Sequence, residues 1–345
     1  MIKYPLPAYR KGRKKTEGMV QTGMKKTLQM LLVMLITLGL LCAQTAPVCA
    51  EDLPDTDFSD KNYLLPVDFS ILDQRAIEAN FTEDGYQDST IQVTMGYGRY
   101  QDRCDYWTAD IVIKDPSQMR TSAAKGNFKS KAQRDGVELC NALNALVGLN
   151  GDFVNGTEKL DFGYVVRQGV LFRDNLDTAG RWNSRLMDVL VIDEDGDFHI
   201  IRRAKDGDLQ AMMIGQKRIM NSFCFGPALV IDGEMVEDFD GADTWLNMSK
   251  DNDRQRIAFC QVGPLHYKVV CCSGPYRTSH SDKNTGLSLP EFTRLVADQG
   301  VQTAYNLDGG DSCLLFFHGR RINEKPNQSI RKLQDVIYFV SAEGL

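Results

Sequence analysis

Two short runs of acids and glycines carry the residue types best suited to chemistry. One is Asn306-Leu307-Asp308-Gly309-Gly310-Asp311-Ser312 and the other is Asn150-Gly151-Asp152. Paired glycines let a backbone approach a ligand closely and aim N–H groups at it. Asp308 and Asp311 then stand at the rim of such a turn, with the Ser312 hydroxyl beside them. Each run taken singly also reads as an ordinary turn with solvated acids, since Asn-Gly and Asp-Gly are common turn signals. Arg167 and Arg256 fall in strand-like stretches. A guanidinium suits the clamping of a phosphate, although a lone strand arginine is commonly a solvated edge residue. Brought together, Asp152, Asp308 and Asp311 would also hold a divalent cation.

Other chemistries find less support. Asp193-Glu194-Asp195-Gly196-Asp197 lacks the ligand spacing of a calcium-binding EF-hand loop and reads as a hairpin tip. His199, His266, His280 and His318 are scattered without metal-ligand spacing. No GxSxG, P-loop, HExxH or GxGxxG pattern occurs. Beyond Ala50 stand Cys104, Cys140, Cys224, Cys260, Cys271, Cys272 and Cys313, with no CxxC pair, which argues against a zinc ribbon. Their odd number leaves at least one free thiol. Apolar neighbours make most of them small buried hydrophobes, the alternative being a disulfide such as Cys260 with Cys271. Only Cys313 sits where a nucleophile would be useful, and nothing in the sequence gives it a base.

These residues need a scaffold of strands. Ile91–Tyr97 and Tyr106–Ile113 alternate as strands do. Asp188–Ile192 and Phe198–Ile201 flank the acidic tip, Ala228–Ile231 runs into Asp232-Gly233, and Arg256–Val262 and His266–Cys272 flank Gly263-Pro264. Leu314–His318 and Val336–Val340 read as a final strand pair. Two stretches have helical spacing. Gln133–Val147 carries Val137, Cys140, Leu143, Leu146 and Val147, with Gly148 as its stop. Pro290–Asp298 carries Phe292, Leu295 and Val296, with Pro290 in its first turn and Gly300 as its stop. Strands outnumber helices and short turns separate them. That predicts an α+β fold of largely antiparallel sheets with a few flanking helices, rather than a doubly wound one.

The chain of 345 residues, 43% hydrophobic and 25% charged, has the composition of a globular protein. Residues 1–50 hold eight Lys and Arg against the single acid Glu17, which leaves the remainder distinctly acidic. An acidic body argues against a nucleic-acid partner, but a phosphorylated substrate needs only one or two local cations. Lys25 and Lys26, the apolar run Leu28–Cys42 and Val48-Cys49-Ala50 follow the order of an export signal cleaved after Ala50. The run is short for a membrane span, so membrane association is expected only if this segment is retained as an anchor. A start at Met24 would give the signal a more usual length. Residues 51–66, acidic and with Pro54 and Pro66, read as a linker, and 67–345 as one domain without repeats.

In order along the chain, several blocks resemble the phosphodiester glycosidase family, which includes the lysosomal uncovering enzyme and bacterial exopolysaccharide-associated proteins. They are Leu149-Asn150-Gly151-Asp152-Phe153, Gly163-Tyr164-Val165-Val166-Arg167 with its continuation to Asp174, Phe225-Gly226-Pro227-Ala228-Leu229-Val230, Arg256-Ile257-Ala258, Gly286-Leu287-Ser288-Leu289-Pro290-Glu291, and Asn306-Leu307-Asp308-Gly309-Gly310. The resemblance spans about residues 91–342, best over 148–342. The family's third glycine and paired hydroxyls are replaced by Asp311-Ser312-Cys313, and its Thr and Gly after the arginine by Ile257 and Cys260, with Phe259 before the latter. Bulk or charge there would narrow the pocket or alter activity.

The resemblance implies an exported hydrolase that cleaves between a sugar's anomeric carbon and phosphate in a sugar 1-phosphodiester, such as a cell-surface glycan. It implies Asp308 as the carboxylate that steadies the sugar cation or serves as base, and Asp152 as the second carboxylate. Arg256, Arg167 and the N–H groups of Gly309 and Gly310 would take the phosphate, with Asn150 and Ser312 orienting substrate. No cofactor is required on this reading. The alternatives are a glycan-binding protein without activity and a metal-dependent phosphodiesterase.

Overall fold

The computed structural model describes residues 78–126, 128, 132–152, 163–175, 187–204, 217–239, 250–274, 285–323 and 331–343. The chain groups into residues 1–49 and 50–345, and every described residue lies in the second unit. The expected export signal and linker, Phe153 and His280 lie outside the described residues. Among those described, no helix is long and apolar enough to cross a membrane.

The chain opens with β1 (Phe81–Thr82), β2 (Gly85–Gln87), β3 (Ile91–Tyr100), β4 (Cys104–Ile113) and β5 (Met119–Ala123). Helix α1 (Gly136–Ala142), β6 (Val147–Asn150), β7 (Gly163–Arg167) and β8 (Val170–Asn175) follow. Next come β9 (Met187–Asp193), β10 (Phe198–Ala204), β11 (Ile219–Phe223), β12 (Ala228–Ile231) and β13 (Glu234–Met235). Then come β14 (Ile257–Gly263), β15 (His266–Cys272), α2 (Leu289–Ala297) and β16 (Thr303–Leu307). The last elements are β17 (Leu315–Phe317), β18 (Arg320–Arg321) and β19 (Asp335–Phe339). A nine-stranded sheet runs β1-β2-β3-β4-β15-β14-β16-β12-β13, a five-stranded one β18-β17-β6-β19-β5, and a three-stranded one β10-β9-β11, while β7 pairs with β8.

The strand pairs are antiparallel, as expected. The helical share is smaller than an α+β label suggests, with two α-helices among the described residues. One expected pairing is corrected. Leu315–Phe317 and Asp335–Phe339 do not pair with each other, because β6 lies between them and bonds to both. Sequence adjacency suggested a terminal hairpin, but a strand from far upstream completes the pairing of both.

Alternation explains why the five-stranded sheet is buried on two faces. Leu315, Phe317, Ile337, Phe339, Val147 and Leu149 join the main core shared with the nine-stranded sheet. Phe316, Val336 and Tyr338 point the other way, onto Leu139 and Cys140 of α1 and Leu143 just beyond it. Between the sheets Phe259 packs on Phe198, Tyr267 and Phe339, with ring centroids 4.8, 6.0 and 6.1 Å away. The bulk at Phe259, expected to narrow a pocket, is therefore core packing. Cys260 is fully buried with it.

Helix α1 is shorter than its apolar spacing predicts. It ends at Ala142, Asn144 takes a left-handed φ of 53°, and Val147 already belongs to β6. Gly148 is a strand residue rather than a helix stop. A Cβ there would lie 2.4 Å from Cys140 Sγ, so glycine lets the helix lie close on the sheet. Helix α2 follows expectation. Ser288 and Glu291 form a reciprocal capping box, Pro290 lies in the first turn, and Leu289, Phe292, Leu295 and Val296 are buried.

All seven described cysteines are free and buried. The Cys260–Cys271 disulfide is excluded by register. Cys260 stands opposite Lys268 and Cys271 opposite Ile257, which puts the two side chains on opposite faces of the sheet. The acidic run 193–197 is a hairpin tip, with Lys217 Nζ 3.2 Å from Asp193 and 2.9 Å from Asp195. Burial opposes the Asp193 charge, but His199, the Asp197 N–H and Lys217 outweigh it and bring its pKa down to about 2. That ionised form stabilises the fold above the ordinary carboxylate range, and the contribution is lost as pH falls towards 2. Asp193→Asn is expected to lower the unfolding free energy at pH 7 by about 2 kcal/mol. The deficit should narrow below pH about 4, as read by urea unfolding at both pH values.

Candidate active site

The two runs singled out in sequence meet where the nine-stranded and five-stranded sheets come together. The pairing of β14 with β16 ends at Ile257 opposite Leu307, so Arg256 and Asp308 each lie one residue beyond that pair. On the other sheet β6 ends at Asn150 opposite Val336 of β19. Asn150 joins the two. Its Nδ2 donates to the Asp308 carbonyl at 2.9 Å, and its Oδ1 accepts from the Leu314 N–H at 3.0 Å. The Asn150 side chain is fully buried and grips both ends of the double-glycine turn. Its amide therefore positions Asp308; the expectation that it touches substrate gives way to this role.

The turn itself is held from below. Gly310 takes a φ of +58° and donates its N–H to the Gln255 carbonyl at 2.9 Å. That amide is not available to a phosphate, which corrects the expectation for Gly310. Gly309 is the position of close approach, because a Cβ there would lie 2.4 Å from the Gln255 carbonyl oxygen. Gly309→Ala is expected to displace the turn and lower turnover by about a hundredfold or more. Steady-state kinetics beside a thermal melt would check this, and unchanged kcat would show the turn to be remote from chemistry.

Gly310, Asp311 and Ser312 form one 3-10 turn after Gly309. Arg331, which sequence reasoning did not single out, fastens it. Its N–H donates to the Asp311 carbonyl at 3.2 Å, its Nη1 donates to Ser312 Oγ at 3.1 Å, and that nitrogen lies 3.6 Å from Asp308 Oδ2. The Arg331 side chain is 40% exposed and that of Asp308 11%. This guanidinium therefore reaches the turn from the solvent side, as one meeting an anionic group would.

A second cluster lies just past Asn150. Asp152 follows two residues on, at most about 7 Å of chain. Its Oδ2 lies 3.5 Å from Arg167 Nη2, and its carboxylate accepts the Cys224 N–H. Arg167 Nη2 lies 2.9 Å from Asp335 Oδ2, and Nε donates to the same oxygen at 3.3 Å. Nη1 is committed to the Val166 and Ser222 carbonyls, and the guanidinium lies 4.3 Å from the centre of the Phe223 ring. The Asp152, Arg167 and Asp335 side chains are 11%, 1% and 9% exposed, so the cluster is nearly dry. Burial pushes the Asp152 carboxyl above the ordinary carboxylate range, Arg167 opposes this and Asp335 reinforces it. The one signal for Asp335 in this region is Gly151, where a Cβ would lie 2.5 Å from its Oδ1.

Arg256 is placed beside Asp308 but its donors are turned elsewhere. Nε donates to the Leu287 carbonyl at 2.8 Å and Nη2 to the Asn252 carbonyl at 2.9 Å. It is buried, and burial lowers its pKa. It ties the Asn252–Arg256 segment to the chain before α2, a structural role in place of the expected phosphate clamp. His199, His266 and His318 pair with Asp193, Asp110 and Glu78 away from these clusters. Among the described residues no three His, Cys, Asp or Glu side chains gather as a metal would require. A separate cleft of about 190 Å³ beside Gln168, Asp193 and Asn221 includes none of the candidate catalytic or substrate-binding residues.

Comparison with known proteins adds two findings. A family described as phosphodiester glycosidase matches residues 143–340. Among solved structures, the catalytic domain of zebrafish N-acetylglucosamine-1-phosphodiester alpha-N-acetylglucosaminidase is similar with a TM-score of 0.56 and 15% identity, over 78% of this chain and 87% of that one. A hypothetical protein from Synechocystis is similar with a TM-score of 0.50 and 14% identity, over 73% of this chain and 62% of that one. At such identities these likenesses establish the fold. No curated protein matches the sequence.

Proposed function

The chain belongs to the phosphodiester glycosidase family, and from that premise we propose that it is an exported hydrolase acting on a sugar 1-phosphodiester, cleaving between the anomeric carbon and phosphate. The observation that carries this reading is that the Asn150 side chain holds the Asp308 backbone while Asp152 stands two residues further along the chain, which brings the two acid-bearing runs together. Asp308 is the carboxylate at the open turn, suited to steady a cationic sugar or to take a proton from water. Arg331 stands where it can meet the phosphate, and Ser312 and Asp311 line the same turn. Export rests on the order of Lys25-Lys26, the apolar run and Val48-Cys49-Ala50, with 51–66 as linker and 67–345 as the catalytic domain. A cell-surface or exopolysaccharide phosphodiester is the natural substrate for a protein so placed.

The test is a panel of sugar 1-phosphodiesters given to protein from Glu51 onward, in water labelled with heavy oxygen. Release of free sugar carrying the label supports cleavage at carbon. Label in the phosphate would mean attack at phosphorus, and loss of activity on chelation would point to a metal-dependent phosphodiesterase. Binding of glycan with no release would mean a recognition protein on this fold.

A further inference from the structure

Two buried carboxylates face a single buried guanidinium, and the sharing is unequal. Asp335 takes the closer Arg167 contacts, 2.9 Å from Nη2 and 3.3 Å from Nε, through one oxygen. Asp152 has the one long contact of 3.5 Å to the same Nη2. The other Arg167 nitrogen is turned to main-chain carbonyls. A dry site with two negative groups and one positive group is costly, and neutralising one acid is the least expensive remedy. Among the described residues no second cation pairs with Asp152. Burial keeps the Cys224 thiol and the Tyr305 hydroxyl neutral, and Arg173 lies towards Cys224.

We propose that Asp335 is a positioning residue that takes the closer share of Arg167, leaving Asp152 the weaker partner and the proton donor to the departing phosphate oxygen. The inference rests on the hydrolase reading above. When the bond between the anomeric carbon and oxygen breaks, its electron pair stays on oxygen and the Asp152 proton follows. Water supplies hydroxide to carbon, and its second proton passes to Asp308. Exchange with solvent then returns each carboxyl to its starting state. Before the reaction, a neutral Asp152 also avoids the repulsion that a third ionised acid would exert on an anionic diester. Burial, the largest influence, and the Asp335 charge act in the required direction on Asp152, against Arg167 and the Cys224 N–H.

Asp335→Asn keeps the shape and the main-chain bond from Gly151 to residue 335. It removes one negative charge and frees Arg167 for Asp152, so both changes favour ionised Asp152. Because a proton donor must be protonated, the alkaline limb of kcat/KM should move to lower pH by about one unit or more. A merely structural Asp335 would lower the rate without moving that limb, and an unmoved limb overturns the proposal. An infrared titration of the wild-type chain reads the same proton without turnover. The protonated carboxyl stretch should persist at neutral pH and vanish in Asp152→Asn, even if Asp335→Asn does not fold. Absence of that stretch at pH about 6, well above an ordinary carboxylate, overturns the proposal. Its presence in a protein inactive on every diester supports the placement of the proton and overturns only the hydrolase reading.

Discussion

Asp308→Asn is expected to lower kcat on a sugar 1-phosphodiester by about a hundredfold to ten-thousandfold, the usual worth of a positioned acid–base group. The substitution keeps the side chain's shape and removes its charge. The turn should survive, because Asn150 holds residue 308 by its carbonyl and Gln255 holds Gly310. Neither bond involves the Asp308 carboxylate. A thermal midpoint close to wild type with kcat collapsed would place Asp308 in the chemistry. Near-normal turnover would remove it, and the geometry would then leave Asp152 as the principal acid. KM is expected to change little or to fall, since Arg331 would face the phosphate without a competing carboxylate 3.6 Å away.

Arg167→Met should produce the largest stability loss, about 3–5 kcal/mol at neutral pH, the typical result of removing one partner from a buried ion pair. Methionine fills much of the volume over Phe223 but leaves Asp152 and Asp335 without a counter-charge. With Arg167 gone, ionising Asp152 would cost more still and the Asp335 charge would lack a partner, so the folded state would hold protons that the unfolded chain releases. The deficit should therefore grow as pH rises past about 4 and ease on acidification. Adding Asp152→Asn and Asp335→Asn should recover most of the loss, because a cluster neutral throughout has no unpaired charge to bury. Urea unfolding of the single and triple variants at pH 5 and 8 would check this. A pH-independent deficit, unrelieved in the triple variant, would assign the effect to packing alone.

Much of this arrangement is legible in the sequence because the informative residues are local. Alternating runs gave the strands of the β9–β10 and β14–β15 hairpins with turns at 193–197 and 263–264, and β12 with its turn at 232–233, though not the two-residue β13 that follows it. Asp308 and Asp152 stand out because each sits beside glycines that have to be glycines. What stayed hidden is non-local. Asp335 opens an apolar strand and looks like a solvated strand end, and only the insertion of β19 beside β6 carries it to Arg167. Arg331 follows no motif, and its value comes from reaching back to Ser312. Arg256 misled in the opposite way. Its place in a recognised block suggested a ligand contact, but burial turned its donors onto the Asn252 and Leu287 carbonyls. Gly148 misled because a glycine after a helical stretch resembles a terminator, whereas here it makes room for α1.

The order β18-β17-β6-β19-β5 also governs when the protein can finish folding. Strand β19 slots between β5 and β6, both synthesised some two hundred residues earlier. Until it emerges from the ribosome, those two strands face each other across a gap and the central layer cannot close. Such late, long-range pairing delays compaction. A delay of this kind keeps a polypeptide threadable, as the export proposed above would require. It also means that a chain truncated before Asp335 loses the closing seam and the aspartate that pairs with Arg167 together, since one strand supplies both.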